Sequence, residues 1–468
     1  MMMLSLAVLL SLGSVGVDGP VPGVRAWLAE VSADRLIGDV RALEGFGTRH
    51  LLSSGQTPGR GIDAAADWIK RSLDTTPRTS PPLETRIESF DVPPGVRVPG
   101  GARVRNVVAV MPGTMKEAAS RAYYVVGHYD SRNADVMDAS GPAPGANDDA
   151  SGTVLVMELA RIVALRPLES TVVFLCTSGE EQGLLGAAAH AQNIASTSPY
   201  VVMGVLNNDI VGDPSPAARA IDPNSWPQGA PPSDDAVRAA QGPDPRRVVR
   251  VFSEGLPRRP GAADLATIRS LSAENDSPSR QLARFIAFVT AREGLAVEPT
   301  LVFRQDRFLR GGDHAAFNDA GFPAVRFTTL HEEYSRQHVG VERREDGEHG
   351  DVSRFVDAGY LADVARVNLA ALVHAANAPR PPLNARIITA SLDSTTQLAW
   401  TAPPEPDVAG YEVVWRATTD WQWRHSLDVG AATSVRLPLN KDNVFIGVRA
   451  YDRDGYRSPV AFAAAAKE

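Results

Sequence analysis

Acidic and histidine side chains recur where the apolar, β-branched runs of this sequence come to an end. Such bounded runs are typical of buried strands, and ligands collect beyond the carboxyl ends of strands in an open α/β sheet. The residues at these ends or in adjoining loops are His128, Asp130, Asp148, Asp149, Glu180, Glu181 and Asp209. Carboxylates crowded at one rim repel one another unless a cation neutralises them. The pattern therefore predicts a cation site with imidazole and carboxylate ligands at one edge of a sheet.

The adjacent acids Glu180 and Glu181, in the stretch FLCTSGEEQGLLGA, have two interpretations. Acids are favoured in the first turn of a helix, and Ser178 would then be its N-cap. Alternatively, neighbouring residues at a strand exit point in different directions, so one carboxylate can face a metal ion and the other a water molecule. The other acids at strand ends favour the second interpretation.

Buried strands and amphipathic helices alternate along most of the chain. Strands are predicted in RVRNVVAVMPG, RAYYVVGHYDS, STVVFLCTS, YVVMGVLNNDIVG and FPAVRFTT. Apolar residues at helical spacing predict helices over 60–73, 151–167, 277–294 and 354–377. This alternation predicts an α/β fold: a mostly parallel (mixed) sheet sandwiched by helices.

The residue composition and pattern of the chain change near both ends and once in the middle. Residues 1–17 contain an apolar run that is too short to span a bilayer but suits a signal peptide, which predicts a secreted or periplasmic protein. The α/β domain is predicted over 24–378, with a proline-rich inserted loop or lid at 213–245. A linker at 379–386 then leads to short alternating strands over 387–466, which predict a small all-β sandwich.

Composition excludes several classes of partner. The 468 residues carry a net charge of −8 and contain no cluster of lysine or arginine, so nothing favours binding to nucleic acid or to an anionic membrane. No segment is long and apolar enough to be a transmembrane helix. The single cysteine, Cys176, lies inside a predicted buried strand, so a disulfide framework is excluded and the fold depends on its core. The sequence carries no signal for an oligomeric state.

The motifs GHYDS, GANDDASG, SGEEQGLLGA, LNNDIVG and GGDHAAF…GFPAV occur in the order seen in the M28 family of dinuclear zinc exopeptidases. The chain resembles that family over roughly residues 100–375. The resemblance implies two Zn²⁺ ions, with Asp148 as the carboxylate shared between them and Glu180 as the general base. It further implies that Asp130 orients His128. The residues matching zinc ligands are His128, Asp148, Glu181, Asp209 and a later histidine.

The later histidine is sought in HEEYSRQHVGVERREDGEHGD, which offers His331, His338 and His349. His338 is predicted as the fifth ligand, because its QH context resembles a form seen in some members of the family. Many members carry tyrosine at the preceding position, where Gln337 stands here, so Tyr334 and Gln337 are both candidates for the oxyanion donor. His314, in GGDHAAF, is predicted to be structural or to line the pocket.

The resemblance implies a zinc-dependent aminopeptidase that acts on peptides. An alternative is an acyltransferase of the glutaminyl cyclase type, which shares the fold but uses a single zinc ion. A third possibility is a binding protein that has lost catalysis. The last 80 or so residues resemble a fibronectin type III domain through Trp400, YEVVWR and VRAYDRDGYRS, which implies a role in surface or polymer attachment.

Overall fold

The structure is a computed structural model that describes residues 19–53, 58–76, 81–215, 243–258, 260–345, 347–390 and 393–466. Its contacts divide the chain into two compact units that meet in sequence between Asn377 and Ala378. The predicted signal segment at 1–17 and most of the predicted lid at 213–245 lie outside the described residues.

The larger unit is built on one eight-stranded sheet. The strands are Glu84–Val92 (β1), Ala102–Met111 (β2), Arg121–His128 (β3), Thr171–Thr177 (β4), Val201–Asn208 (β5), Val248–Ser253 (β6), Glu298–Val302 (β7) and Ala324–Thr329 (β8). Their order across the sheet is β1-β2-β4-β3-β5-β8-β6-β7. The pairings of β3 with β4, β3 with β5, β5 with β8 and β6 with β7 are parallel, and the others are antiparallel. The predicted mixed sheet is thus confirmed, with its parallel pairs concentrated at the centre.

Helices cover this sheet. They are Val24–Leu28 (α1), Ala33–Glu44 (α2), Gly61–Asp74 (α3), Ser151–Val163 (α4), Leu185–Thr197 (α5), Ala262–Leu271 (α6), Pro278–Glu293 (α7), Asp313–Asp319 (α8) and Ala358–Asn377 (α9). Every residue of β3 and β4 is buried, as expected of strands with both faces covered.

Local sequence signals explain where α7 begins and ends. The Ser277 hydroxyl accepts a hydrogen bond from the Arg280 N–H (3.2 Å), and Pro278 occupies the first turn. Gly294 ends the helix in the left-handed conformation at φ +64°. The predicted limits of 277–294 are therefore confirmed. In contrast, the helix predicted from 354 begins only at Ala358, because a short 3₁₀ turn occupies Ser353–Phe355.

The interpretation of Ser178 as a helix N-cap is excluded by the structure. After β4 the chain turns, with the N–H of Gly183 and that of Leu184 both donating to the Glu180 carbonyl (2.8 and 2.9 Å), and α5 begins only at Leu185. The Ser178 hydroxyl instead accepts the Arg105 N–H (3.0 Å) on β2. Glu180 and Glu181 therefore lie in a turn between strand and helix.

The smaller unit contains two four-stranded sheets around a core of its own. Its strands are Leu383–Ile388 (β11), Thr396–Thr401 (β12), Val408–Ala417 (β13), His425–Asp428 (β14), Ser434–Leu437 (β15), Val444–Asp452 (β16), Ala461–Phe462 (β17) and Ala464–Ala466 (β18), numbered after the hairpin Glu342–Arg344 (β9) and Gly347–His349 (β10) of the larger unit. The orders are β15-β12-β11-β18 and β14-β13-β16-β17. Trp400 of β12 packs with Tyr411 and Val413 of β13, so side chains of both sheets form one core.

The predicted linker at 379–386 is too long at its carboxyl end. Residues from Leu383 onward already pair with β12, so the strand begins inside the segment assigned to the linker. Proline and asparagine near the start of β11 concealed it, since both residues are depleted in strands. Among the described residues, none of the helices has both the length and the apolar character that crossing a membrane requires.

Candidate metal centre

The predicted site residues meet at the carboxyl edge of the central parallel strands. His128 is the last residue of β3, Asp209 follows β5 directly, and Glu180 and Glu181 lie in the turn after β4. Because β4, β3 and β5 are neighbours and parallel, their carboxyl ends share one edge of the sheet. Asp148 joins them from the segment just before α4.

One cluster of possible metal ligands consists of His128, Asp148 and Asp209. Each offers a nitrogen or oxygen atom, and these atoms lie within 4.8 Å of one another. His128 Nε2 is 3.2 Å from Asp148 Oδ1. All three residues are buried, so their charges are poorly screened by water.

A second cluster consists of Asp148, Glu181 and His338, again with ligand atoms within 4.8 Å. His338 Nε2 lies 2.8 Å from Glu181 Oε1 and 2.9 Å from Asp148 Oδ2. The two carboxylate oxygens of Asp148 thus face different clusters, Oδ1 the first and Oδ2 the second. Imidazole nitrogen and carboxylate oxygen are ligands that Zn²⁺ accepts, so both clusters fit zinc by their donor atoms.

Asp130 connects the end of β3 to the turn after β4. Its carboxylate oxygens accept the backbone N–H groups of Glu180 (3.2 Å) and Glu181 (3.1 Å). Asp130 Oδ1 also lies 3.5 Å from His128 Nδ1. A carboxylate on the second nitrogen of a metal-binding histidine fixes its orientation, which is the role predicted for Asp130.

Asp148 is held in place by a residue that no sequence motif indicated. The Asp351 carboxylate accepts the N–H groups of Asn147 (2.7 Å) and Asp148 (2.8 Å). Burial raises the pKa of Asp351 to about 7, although these hydrogen bonds oppose the rise. The buried Arg49 guanidinium donates to the carbonyls of Pro144 and Gly145 in the same segment. Both residues lie far from Asp148 in sequence, so only the tertiary structure identifies them.

Asp149, next to Asp148 in sequence, belongs to neither cluster among the described residues. Its carboxylate accepts the N–H groups of His128 (3.1 Å), Gly152 (2.9 Å) and Ile210 (3.2 Å). It therefore fastens the ends of β3 and β5 to the start of α4. Of the two adjacent aspartates, one can bind a metal ion and the other supports the backbone around it.

None of the described residues forms a hydrogen bond with the Glu180 carboxylate, although it lies beside the clusters. Burial raises the pKa of Glu180 well above its usual value; His128 opposes this rise, whereas Asp209 and Glu181 add to it. A carboxyl group with a raised pKa and an unengaged side chain is suited to accept and return a proton.

Two arginines contact the side chains of candidate ligands, and no sequence motif pointed to either. Arg326, the one charged residue of β8, donates to Asp209 Oδ1 (2.7 Å) and to Asp306 Oδ2 (3.0 Å). Burial raises the pKa of Asp209 and Arg326 opposes the rise. Arg132 donates to Glu181 Oε2 (2.9 Å). A single charged residue inside a predicted strand was the only available sequence signal, and it applied to Arg326 alone.

Of the three candidates for the later histidine, only His338 belongs to a cluster among the described residues. His331 lies just after β8 and His349 ends the β9–β10 hairpin. His314 is buried in α8 with Nε2 2.9 Å from the Gln305 carbonyl, in keeping with its predicted structural role. Burial lowers the pKa of His314 to about 4.

The two candidates for the oxyanion donor differ in position. Gln337 Nε2 donates to Asp148 Oδ2 (2.8 Å), and Gln337 Oε1 accepts from Arg310 (3.0 Å). The Tyr334 side chain is 63% exposed. Gln337 is therefore the candidate that lies against the shared carboxylate.

The structure defines an α/β protein with a candidate metal centre at the carboxyl edge of its sheet. The sequence profile described as Peptidase family M28 matches residues 106–256. The chain is 40% identical over 445 residues to a protein of Pyrenophora tritici-repentis named "Probable zinc metalloprotease". The alignment spans 95% of this chain and 87% of that protein. A protein of Pyricularia oryzae with the same name is 42% identical over 447 residues, spanning 94% of this chain and 84% of that protein. The solved structure of the Legionella pneumophila LapA aminopeptidase is 20% identical, covers 76% of this chain and 74% of that chain, and superposes with a TM-score of 0.48.

The chain belongs to peptidase family M28, because the family profile matches it and its relatives align with more than nine-tenths of it at about 40% identity. It is a zinc metalloprotease, and its substrates are peptides. The predicted family and the predicted enzyme class are thereby confirmed.

Proposed function

We propose that this zinc metalloprotease is a two-zinc aminopeptidase that releases N-terminal residues from peptides. The observation that supports it is the pair of clusters that share Asp148. His128 and Asp209 would complete one zinc site, and Glu181 and His338 the other. Zinc at such a site lowers the pKa of bound water and polarises the carbonyl that is attacked.

The residues of the chain supply the remaining chemistry. Glu180, unengaged and beside the clusters, accepts a proton from the attacking water and returns it to the leaving amine. Asp130 keeps Glu180 and Glu181 in fixed positions through their backbone N–H groups. The Gln337 amide, held between Arg310 and Asp148, is the candidate that donates to the oxyanion of the tetrahedral intermediate.

Two alternatives predict different metal contents. A glutaminyl cyclase-type acyltransferase would use one zinc ion, and a binding protein without catalysis would need none. The second cluster favours the two-zinc hydrolase, because a single-zinc enzyme has no need of a second set of converging ligands.

The test combines metal analysis with a substrate screen. The purified protein is expected to hold two zinc ions per chain and to lose activity when a chelator removes them. Peptides with a free N-terminus should be cleaved whether or not their C-terminus is amidated, and N-acetylated peptides should resist. Cleavage that requires a free C-terminus would instead identify a carboxypeptidase, and one zinc ion at full activity would exclude the two-metal mechanism.

We also propose that the protein is exported and that the smaller unit mediates attachment. The apolar run at 4–12 supports export, and the independent β core of the smaller unit supports a separate role for it. Mass spectrometry of the protein secreted by its host would test export, since cleavage should remove about the first 17 residues.

A further inference from the structure

The two histidines of the candidate centre have opposite partners on their second ring nitrogen. His128 Nδ1 faces acceptors, namely the Asp130 carboxylate (3.5 Å) and the Asp130 carbonyl (3.2 Å). His338 Nδ1 faces a donor, because Arg132 Nη2 lies 2.6 Å away. Histidines that bind a metal almost always donate the second N–H to a carboxylate, a carbonyl or water. His128 has that support and His338 does not.

Arg132 contacts Glu181 and His338, the two ligands of the second cluster that the first cluster does not share. Besides His338, its Nε donates to Glu181 Oε2 (2.9 Å), and its side chain is only 19% exposed. A guanidinium has donors and no acceptor. Arg132 therefore satisfies the same two side chains that a metal ion in the second cluster would use.

The hydrogen bonds around His338 compete with metal binding at its Nε2. If Nδ1 accepts from Arg132, the proton lies on Nε2, which is within 2.9 Å of acceptor oxygens of Glu181 and Asp148. If Nε2 binds a metal ion, a neutral ring carries its proton on Nδ1, where it points at a donor. His338 can satisfy Arg132 or a metal ion, but not both in this arrangement.

The first cluster lacks this conflict. Arg326 does contact Asp209, through one oxygen at 2.7 Å, but its charge is shared with Asp306 at 3.0 Å. His128 retains its acceptors on Nδ1. Each cluster thus has a guanidinium nearby, but only the guanidinium of Arg132 opposes the histidine.

We propose that Arg132 competes with the metal ion for Glu181 and His338, which makes the second site the weaker and more readily exchanged of the two. This inference rests on the proposed two-zinc function. Arg132 acts through the ligands, so it is a positioning residue that sets metal affinity.

The test measures zinc uptake in metal buffers of increasing free zinc, followed by elemental analysis. The informative variant is Arg132→Gln, whose amide oxygen can accept the Nδ1 proton of His338. Arg132→Met removes the charge without supplying an acceptor, and Arg132→Lys keeps a donor. The matched control is Arg97→Met, since Arg97 is exposed and donates to the backbone carbonyl of Glu181 (2.7 Å), not to its carboxylate.

The wild-type protein is expected to fill in two steps, the second at least about tenfold weaker than the first. Arg132→Gln should tighten the second step by about tenfold or more and leave the first unchanged. Arg132→Met should tighten it by a smaller factor, and Arg132→Lys and Arg97→Met should behave as the wild type. Circular dichroism shows whether each variant is folded. If Arg132→Gln does not fold, Arg132→Met tests the change in the second step in its place.

An unchanged or weakened second step in Arg132→Gln and Arg132→Met would overturn the inference. Equal steps in a wild-type protein that binds two zinc ions would also overturn it, while leaving the proposed function intact. If the wild type saturates at one zinc ion and Arg132→Gln at two, the inference holds and the two-zinc function of the natural chain fails. If both saturate at one, both proposals fail.

Discussion

Glu180 and Glu181 are consecutive carboxylates with different surroundings. The Glu181 carboxylate contacts Arg132 and His338, whereas none of the described residues hydrogen-bonds the carboxylate of Glu180. The backbone N–H groups of both residues are bound by Asp130. Two adjacent residues of one turn therefore serve as a candidate base, Glu180, and a candidate ligand, Glu181.

Glu180→Gln should leave zinc bound and slow the chemical step, because an amide cannot accept a proton at neutral pH. General-base catalysis typically contributes about 10²–10⁴-fold, so kcat should fall by at least that order. Glu181→Gln is the matched variant: it removes a charged ligand and should lower zinc affinity first. Turnover and zinc content of both variants, with and without added zinc, provide the measurement. Zinc loss in Glu180→Gln, or full activity in both, would show that the roles are misassigned.

His338→Ala should weaken zinc binding in the second cluster and remove most activity, because it deletes a nitrogen that lies 2.8 Å from Glu181 and 2.9 Å from Asp148. His331→Ala and His349→Ala are controls of the same type from the same segment, and both should retain zinc. Zinc content by elemental analysis distinguishes the three variants. If His349→Ala loses zinc and His338→Ala retains it, the fifth ligand is His349.

At the scale of elements, the loops around the centre are tied together by buried ion pairs. Glu332, in the segment after β8, pairs with Arg250 of β6 (2.9 Å) and with Arg310 of the segment before α8 (3.2 Å). Arg307 of that same segment pairs with Glu332 at 2.5 Å. The Glu332 side chain is 3% exposed, so this carboxylate fastens two loops to the sheet with little solvent screening.

Glu332→Gln should destabilise the larger unit by about 3 kcal/mol, because it removes the buried carboxylate with which Arg250 and Arg310 pair. Burial raises the pKa of Glu332, but the surrounding arginines together lower it by more. The net shift of the pKa is therefore downward. A lowered carboxyl pKa gives stability that is present above the unfolded value, about 4.3, and lost as the pH falls through the folded value.

Urea unfolding at pH 7 and at about pH 3.5 measures both effects, since the second pH lies below the ordinary glutamate value. The difference between wild type and Glu332→Gln should shrink at the lower pH. Glu348→Gln is the control, because Glu348 pairs with Arg354 at 3.0 Å while 43% exposed and should contribute less than about 1 kcal/mol. Equal losses in both variants would contradict a structural role for the buried network.

At the scale of the whole molecule, the candidate centre belongs to one unit. Every residue of both clusters precedes the division between Asn377 and Ala378. The smaller unit has an apolar core of its own, in which Leu398, Val413 and Val448 are fully buried. Each unit therefore has the core that independent folding requires.

A chain that ends at Pro379 should fold and retain turnover on small peptides. Circular dichroism and activity per bound zinc, compared with the full chain, provide the measurement. The complementary fragment 378–468 should fold alone and bind no zinc in the same assay. A truncated protein that is folded and loaded with zinc, yet inactive, would show that the smaller unit contributes to the reaction.

The positions of the site residues at strand ends could be predicted from local sequence. His128, Glu181 and Asp209 stand at the ends of runs whose burial could be read from local apolar composition, because strand formation and burial leave a local signal. The helix limits at Ser277 and Gly294 were equally local, since capping involves residues three or four apart. The fold class followed from the alternation of strands and helices, and the family from the order of the short motifs at the strand ends.

The distant side chains that complete the centre could not be predicted from local sequence. Arg132, Arg326 and Asp351 contact candidate ligands across separations of 49, 117 and 203 residues. Such ion pairs and hydrogen bonds depend on the packing of whole elements and leave no local pattern in the sequence. The choice of His338 over His331 and His349 had two grounds. In the sequence it followed from a motif, and in the fold it follows from the proximity of His338 to Asp148 and Glu181.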